Sequence, residues 1–258
     1  MKAGQNPKSI RRRALLDLIV ERGYLSLVEA SRELGVSEQT VRRDVKAFEK
    51  LGKVRRTHGG VAFAGSLSSG TYLKRQLSQT AEKASIARQI ASMIPDGASV
   101  FLDSGTTCEA ISEALLERRN LKIVTYSIRC ASHFLGRSDF SVAIPGGFVR
   151  HIDGTIIGPH HDDFIEQFRF DYAAIAVSGM DQHGRLSDDD VFEVNRVRAA
   201  IGMARETILA LTSDKIGLSA LINLADLSEV DFVVASGERI PGLERLVKDK
   251  NVHLVYSE

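Results

Sequence analysis

The chain has 258 residues, 43% of them hydrophobic and 26% charged, with a formal net charge of +1, which is room for one large domain or for a small one beside a medium one. No apolar run approaches the roughly 20 residues of a membrane span, no hydrophobic signal core follows the polar, basic N-terminus, and Cys108 and Cys130 offer neither a metal spacing nor a disulfide framework. These features exclude a membrane protein and a secreted disulfide scaffold, and a cytoplasmic protein is expected.

Residues 1–8 are polar. A first helix is predicted over Ser9–Arg22, with Ile10, Leu15, Leu18 and Ile19 inward and Arg11, Arg12 and Arg13 near its start. Gly23 ends it, and Tyr24–Leu27 follows as a short strand. Ser26 and Glu29 have the S-x-x-E spacing of a capping box, which opens a second helix through Leu34. Gly35 permits a tight turn, Val36 plugs the core, and Ser37 caps a third helix. On that helix Val41, Val45, Phe48 and Leu51 recur at helical spacing, leaving Gln39, Arg42, Arg43 and Lys46 to solvent. So much positive charge on one helix adds little to fold stability. A helix entering a DNA major groove needs it, because amide and guanidinium groups reach base edges while an ammonium meets phosphate.

Lys53, Arg55, Arg56 and His58 then fall on a short β-prone run ending at Gly59-Gly60, read as a basic wing. Residues 1–61 are thus predicted to form a winged helix-turn-helix. Ser37, Gln39, Thr40, Arg42 and Arg43 are its expected contacts from the recognition helix to double-stranded operator DNA. Lys46, Arg55, Arg56 and His58 are expected to hold phosphate, and Asp44 to make an ion pair within the head. Charge is distributed accordingly: residues 1–60 hold 14 basic against 7 acidic side chains, the remainder 20 against 26. A basic head on an acidic body implies that only the head meets a polyanion.

Residues 62–81 are rich in small and polar side chains and are read as a linker. From Glu82 to the end, residues 82–258, helices and strands alternate. The predicted elements are helix Glu82–Ile94, strand Ala98–Asp103, helix Thr106–Arg118, strand Leu121–Thr125, helix Arg129–Gly136 and strand Phe140–Pro145. A Gly-rich passage follows, then helix Asp162–Phe168, strand Tyr172–Ser178, helix Phe192–Glu206, strands Thr207–Thr212 and Phe232–Ser236, helix Leu243–Lys248 and strand Val252–Tyr256. Short apolar strands separated by helices predict a Rossmann-like α/β domain, a parallel sheet covered on both faces. Ligands of such sheets sit beyond the strands' carboxyl ends.

Asp103-Ser104-Gly105-Thr106-Thr107 is the sharpest candidate there: a strand ends, the backbone turns, and a helix opens with two hydroxyls beside its free N–H groups. That combination suits an anion such as phosphate; a hydroxyl-rich helix cap holding nothing explains the pattern equally well. Pro145-Gly146-Gly147 and Ser178-Gly179-Met180-Asp181 fall after other strands and are expected at the same edge, and Lys215 after a further strand offers an ammonium. Asp188-Asp189-Asp190 reads as solvated acids before a helix N-terminus. His160-His161-Asp162-Asp163 reads as no metal site, and the cysteines as buried small side chains. No G-x-G-x-x-G or G-x-x-x-x-G-K-[ST] occurs, which argues against a dinucleotide or ATP cofactor. Neither a cofactor nor a catalytic residue is expected. The rival reading, a sugar-phosphate isomerase or deaminase with a DNA-binding head, needs a poised carboxylate or histidine. Nothing in the spacing of Asp181, Asp188 and Glu193 selects one.

From Arg11 to Tyr256 the chain resembles the DeoR-type bacterial transcriptional regulators. The segments that carry the likeness are VSEQTVRRDVKAFEKLGKVRRTHGGV, EKASIARQIASMIPDGASVFLDSGTT, PGGFVR, GTIIGP, FRFDYAAIAVSGMDQHGRL and the lysine of SDKIG. DFIEQFRFDY and SGMDQHG look most like the glycerol-3-phosphate repressor branch. The resemblance implies a homo-oligomeric repressor, dimer or tetramer, whose second domain is like sugar-phosphate isomerases and binds a phosphorylated sugar or polyol. It implies effector contacts from Asp103, Ser104, Gly105, Thr106 and Thr107, with Gly146, Gly147, Gly179, Asp181, Glu193 and Lys215 lining or shaping the pocket. Four places depart from the family pattern: Thr125-Tyr126-Ser127, Val197-Arg198, Thr212-Ser213-Asp214-Lys215 and Leu186-Ser187-Asp188.

Overall fold

The computed structural model describes residues 11–12, 14–15, 18–19, 24–50, 54–57, 60–63, 68–158, 161–237, 240 and 242–257. They divide into two compact units, residues 1–78 and 79–258. Of the predicted first helix, the described residues 11–12, 14–15 and 18–19 are helical. The rest of it, with Leu51, Lys53, His58, Gly59 and His160, lies outside the described residues.

In the first unit, strand β1 (Tyr24–Ser26) leads into helix Leu27–Leu34. The capping box is formed: the Ser26 hydroxyl accepts from the Glu29 N–H at 3.1 Å and the Glu29 carboxylate accepts from the Ser26 N–H at 3.1 Å. Gly35 ends that helix in a left-handed conformation. The recognition helix is Glu38–Lys50, with the Ser37 hydroxyl accepting from the Thr40 N–H at 3.3 Å. Strands β2 (Val54–Thr57) and β3 (Gly60–Phe63) form a hairpin, and β3 also pairs with β1, giving an antiparallel sheet in the order β1-β3-β2. Leu15, Ile19, Leu25, Ala30, Val41, Val45, Phe48, Val54 and Val61 make one core under this winged helix-turn-helix. Within the stretch read as a linker, Ser68–Leu77 is helical.

The second unit opens with helix Thr80–Met93. Then follow β4 (Ser99–Leu102), helix Thr106–Ala114, β5 (Lys122–Thr125), helix Ile128–His133 and β6 (Ser141–Ala143). A small hairpin, β7 (Phe148–Val149) and β8 (Ile156–Ile157), precedes helix His161–Ile165 and β9 (Phe170–Ala176). Next come β10 (Gly179–Met180), β11 (Arg185–Asp188), helix Val191–Met203, β12 (Ala204–Leu211), β13 (Ile222–Asp226), β14 (Phe232–Ser236), helix Leu243–Asp249 and β15 (His253–Ser257).

Seven strands form one parallel sheet in the order β15-β14-β12-β9-β4-β5-β6. Alternation along β4 shows how both faces are filled. Val100 and Leu102 belong to the cluster with Ile86, Ile90 and Ile111, and Phe101 to the one with Val194, Leu209 and Leu211. Chain progression runs outward from β4 through β5 to β6, and the opposite way from β9 to β15. The topological switch therefore lies between β4 and β9, where such folds open a crevice. The spacing predicts none of β7, β8, β10, β11 and β13. Three of them have only two residues, RLSD holds a single hydrophobic residue, and INLAD alternates only over Ile222-Asn223-Leu224. β10, β11 and β13 form a separate antiparallel sheet.

Candidate functional site

On the recognition helix, Val41 and Val45 point into the core, and Gln39, Arg42, Arg43 and Lys46 are exposed on the opposite side of the cylinder. Ser37 is also exposed and Thr40 half-buried. Arg42, 63% exposed, sits 3.5 Å from Glu38 one turn back, a surface contact of little energetic weight. Asp44 is different: 2% exposed, it receives Arg11 Nε at 2.9 Å and Arg12 Nε at 2.7 Å from the first helix. Arg11 and Arg12 are thus drawn to the interior acid, while Arg42, Arg43 and Lys46 stay outward. Arg55 and Arg56 lie on β2, paired in register with Ala62 and Val61 of β3.

The second site builds up at the carboxyl ends of β4, β9 and β12, which are neighbours in the sheet. Asp103 follows β4 directly. Its Oδ1 accepts from the Ser104 N–H at 2.7 Å and its Oδ2 from the Ala176 N–H at 3.4 Å, which spans the switch between β4 and β9. Burial pushes its carboxyl up to about 8, and the charges of Glu193 and Asp188 add to that rise against the two N–H donors. Gly105 is the N-cap of helix Thr106–Ala114 and supplies no side-chain cap. The first N–H groups are thereby left for another acceptor, with Thr106 and Thr107 buried beside them.

Lys215 lies in the turn after β12, its Nζ 3.4 Å from Asp214 Oδ2. The Asp214 carboxyl is held low, against its burial, by the Thr212 hydroxyl, Lys215 and Lys83. Lys83 is 6% exposed, in the first turn of helix Thr80–Met93. Glu82 beside it accepts from the Ser213 N–H at 2.7 Å, which fixes that helix start at the same sheet edge. Two helix N-termini and the residues Lys83 and Lys215 therefore belong to the same edge of the sheet as Asp103. Sequence reasoning missed Lys83. The available signal was its place three residues before Ile86, on the apolar stripe that Ile90 and Ile94 continue.

Glu193 joins this edge from helix Val191–Met203. Its carboxyl is raised by burial and by Asp188 and Asp190, against the pull of Arg150. Asp188-Asp189-Asp190 is more than solvated turn acids. Asp188 accepts from the Ser178 hydroxyl at 3.0 Å, and Asp190 caps the helix through the Phe192 N–H at 2.8 Å while bonding Arg150 Nη1 at 2.7 Å.

At two of the expected glycines the backbone packs closely. A Cβ at Gly147 would stand 2.5 Å from the Ile157 carbonyl, and one at Gly179 2.6 Å from that of Leu218, so both permit close backbone packing. Gly146 is exposed. Asp181 turns its carboxylate back onto the His183 and Arg185 N–H groups at 2.8 and 2.9 Å, an Asx-type turn closing the β10–β11 hairpin.

Two of the departures from the family pattern also resolve into packing. Tyr126 is buried, with the Arg196 guanidinium 4.7 Å from its ring centre. Arg198 donates to the Leu224 and Asn223 carbonyls at 2.7 Å each, beside a separate cavity of about 520 Å³ that Arg185 and Asp226 also line. The thiols are buried and burial raises both, Cys130 to about 12, so neither is a nucleophile at neutral pH. Among the described residues no group of three or more His, Cys, Asp or Glu is placed to hold a metal. No helix among them is long and apolar enough to cross a membrane.

Residues 11–66 match the DeoR-like helix-turn-helix domain and residues 78–237 the DeoR C terminal sensor domain. The glycerol-3-phosphate regulon repressor of Escherichia coli K12 is 36% identical over 244 residues, covering 95% of this chain and 97% of that one. The HTH-type transcriptional repressor CsqR of the same organism is 35% identical over 241 residues, covering 93% and 92%. Among solved structures, ribose 5-phosphate isomerase A from Methanocaldococcus jannaschii is similar with a TM-score of 0.41 at 12% identity, over 54% of this chain and 55% of that one.

Proposed function

Because the chain belongs to the DeoR family of transcriptional regulators, we propose that it represses a carbohydrate or polyol operon and is released from its operator by a phosphorylated sugar or polyol. It is a regulator rather than an enzyme. In this reading Ser37, Gln39, Thr40, Arg42 and Arg43 read the major groove, and Lys46, Arg55, Arg56 and His58 hold the backbone. Two heads on a homo-oligomer, dimer or tetramer, engage two half-sites.

The observation that carries the effector half is the sheet edge itself. There an uncapped helix N-terminus, Ser104-Gly105-Thr106-Thr107, and the ammonium groups of Lys83 and Lys215 provide for a phosphate, while Asp103 and Glu193 provide for hydroxyls. Effector binding favours an arrangement of heads that no longer fits the half-site spacing, and repression lifts. Gly146, Gly147 and Gly179 shape this edge through the backbone, and Asp181 orders the hairpin beside it.

The relative named for the glycerol-3-phosphate regulon makes glycerol 3-phosphate the first compound to try. A gel-shift titration of operator-bound protein with glycerol 3-phosphate and a panel of sugar phosphates tests the reading. Release by one of them, and none by inorganic phosphate, is the expected result. Indifference to all of them removes the effector claim.

A further inference from the structure

Arg150 is not among the site residues expected from the sequence, yet its guanidinium bonds four side chains of the second unit. It opens the turn between β7 and β8, and that turn is braced from within: the Arg150 N–H donates to the Thr155 carbonyl at 2.8 Å and the Gly154 N–H to the Arg150 carbonyl at 2.9 Å. The turn is also tied to the segment after β5, through the Ile128 N–H to the Gly154 carbonyl at 2.9 Å and the Ile156 N–H to the Tyr126 carbonyl at 2.7 Å. The base of the arginine is therefore fixed by backbone. Its guanidinium bonds Asp153 on its own turn through Nε at 2.9 Å and Nη2, and Thr155 Oγ1 at 3.4 Å. Across the gap it bonds Asp190 at 2.7 Å and Glu193 on helix Val191–Met203.

Glu193 is surrounded by acids. Asp188 at the end of β11, Asp190 at the N-cap of its helix and Asp103 after β4 all lie within electrostatic reach, and the Arg150 guanidinium is the cation bonded to it. Without that cation, burial and three neighbouring acids would favour the protonated, freely rotating carboxyl. With it, one carboxylate oxygen is engaged and the group is held in a single orientation beside Asp103.

We propose that Arg150 is a positioning residue of the effector pocket, fixing Glu193 as a hydrogen-bond acceptor beside Asp103 so that the pair reads a hydroxyl of the effector. This rests on the effector reading given above and extends it by naming which part of the ligand this corner recognises. A second anionic group is disfavoured here, because Arg150 already bonds the three acids Asp153, Asp190 and Glu193, with Asp188 close by. A neutral hydroxyl, able to donate to Glu193 and to exchange a hydrogen bond with Asp103, fits the corner.

The test compares glycerol 3-phosphate with propyl phosphate, which keeps the phosphate and lacks the hydroxyls, by calorimetric titration of the full-length protein. Wild type is expected to prefer the hydroxylated ester by about 10- to 100-fold, the range of one hydrogen bond to a charged acceptor. Arg150→Met should abolish that preference, and its affinity for glycerol 3-phosphate should recover only at higher pH than in wild type, because Glu193 then ionises later. Arg150→Lys should restore part of the preference. If Arg150→Met does not fold, Glu193→Gln is read instead, with the same loss of preference and no recovery at high pH.

A folded Arg150→Met or Glu193→Gln protein with wild-type preference and wild-type pH profile overturns the proposal. So does a wild type that binds both esters equally. A wild type that binds neither these esters nor any of the sugar phosphates in the panel instead brings down the effector reading, and this proposal with it.

Discussion

Each of the two units buries a knot of arginine and carboxylate, and the knots are built in opposite senses. In the head one acid, Asp44, is held by two arginines, Arg11 and Arg12. In the sensor unit one arginine, Arg150, is held by three acids, Asp153, Asp190 and Glu193. The head's knot fixes the helix from within while the residues proposed to read DNA point the other way. The sensor's knot stands at the sheet edge where the ligand is proposed to bind. On the proposed function, structure and recognition occupy opposite sides of one helix in the head, and share the same side chains in the sensor.

That contrast predicts where substitutions are felt. The largest effect belongs to Asp44→Ala, which leaves Arg11 and Arg12 without their shared acceptor. It is expected to destabilise the head by about 3 kcal/mol, seen as an earlier unfolding transition and weaker operator binding together. Arg43→Ala is expected to leave stability unchanged and to cost about 1–3 kcal/mol of operator affinity with relaxed base preference. If it lowers the melting temperature as Asp44→Ala does, the division of the helix into a structural and a reading side is wrong.

The sensor's counterpart is Asp103→Asn. The wild-type carboxyl stands at about 8 in the folded chain against an ordinary 3.8. Between those values the folded state keeps a proton that the unfolded state releases, so this group's contribution to stability is complete below the lower value and lost as pH rises through the upper one. Asn cannot titrate. The melting temperature of Asp103→Asn relative to wild type should therefore climb from pH 4 to pH 8 and level off above, and a difference that does not vary with pH rejects the assignment. The smallest effect is that of Lys46→Ala, a few-fold loss of affinity on every DNA sequence, with the salt slope reduced by about one.

The same contrast explains what was legible in the sequence. In the head, a single periodicity separates Val41 and Val45 from Arg42, Arg43 and Lys46, and a four-residue capping box marks the preceding helix. Both signals are local. The parallel strands were equally plain, because a run such as Val100-Phe101-Leu102, buried on both faces, is apolar throughout. β10, β11 and β13 were not, since their pairing joins Arg185 to Asp226 and Asp188 to Ile222 and no short window contains both partners.

The pocket was half legible. Asp103 to Thr107 announces itself as a strand–turn–helix junction, and Lys215 follows a strand. Lys83 and Arg150 come from a preceding helix and a hairpin turn, brought to the edge by the order of the sheet and not by any spacing. Asp188 and Asp190 looked like ordinary turn acids because their partners, Ser178 and Arg150, lie 10 and 40 residues away.

In the proposed coupling the head grips DNA and an anion at the sensor's sheet edge loosens that grip. It is tested most directly by titrating glycerol 3-phosphate and a panel of sugar phosphates into a preformed operator complex, with wild type and Lys215→Met in parallel. The expected result is release of wild type by one of these esters, and a Lys215→Met protein that binds operator with the same affinity but stays bound at concentrations at least tenfold higher. Release of both proteins at the same concentration, or of neither by any ester, contradicts it.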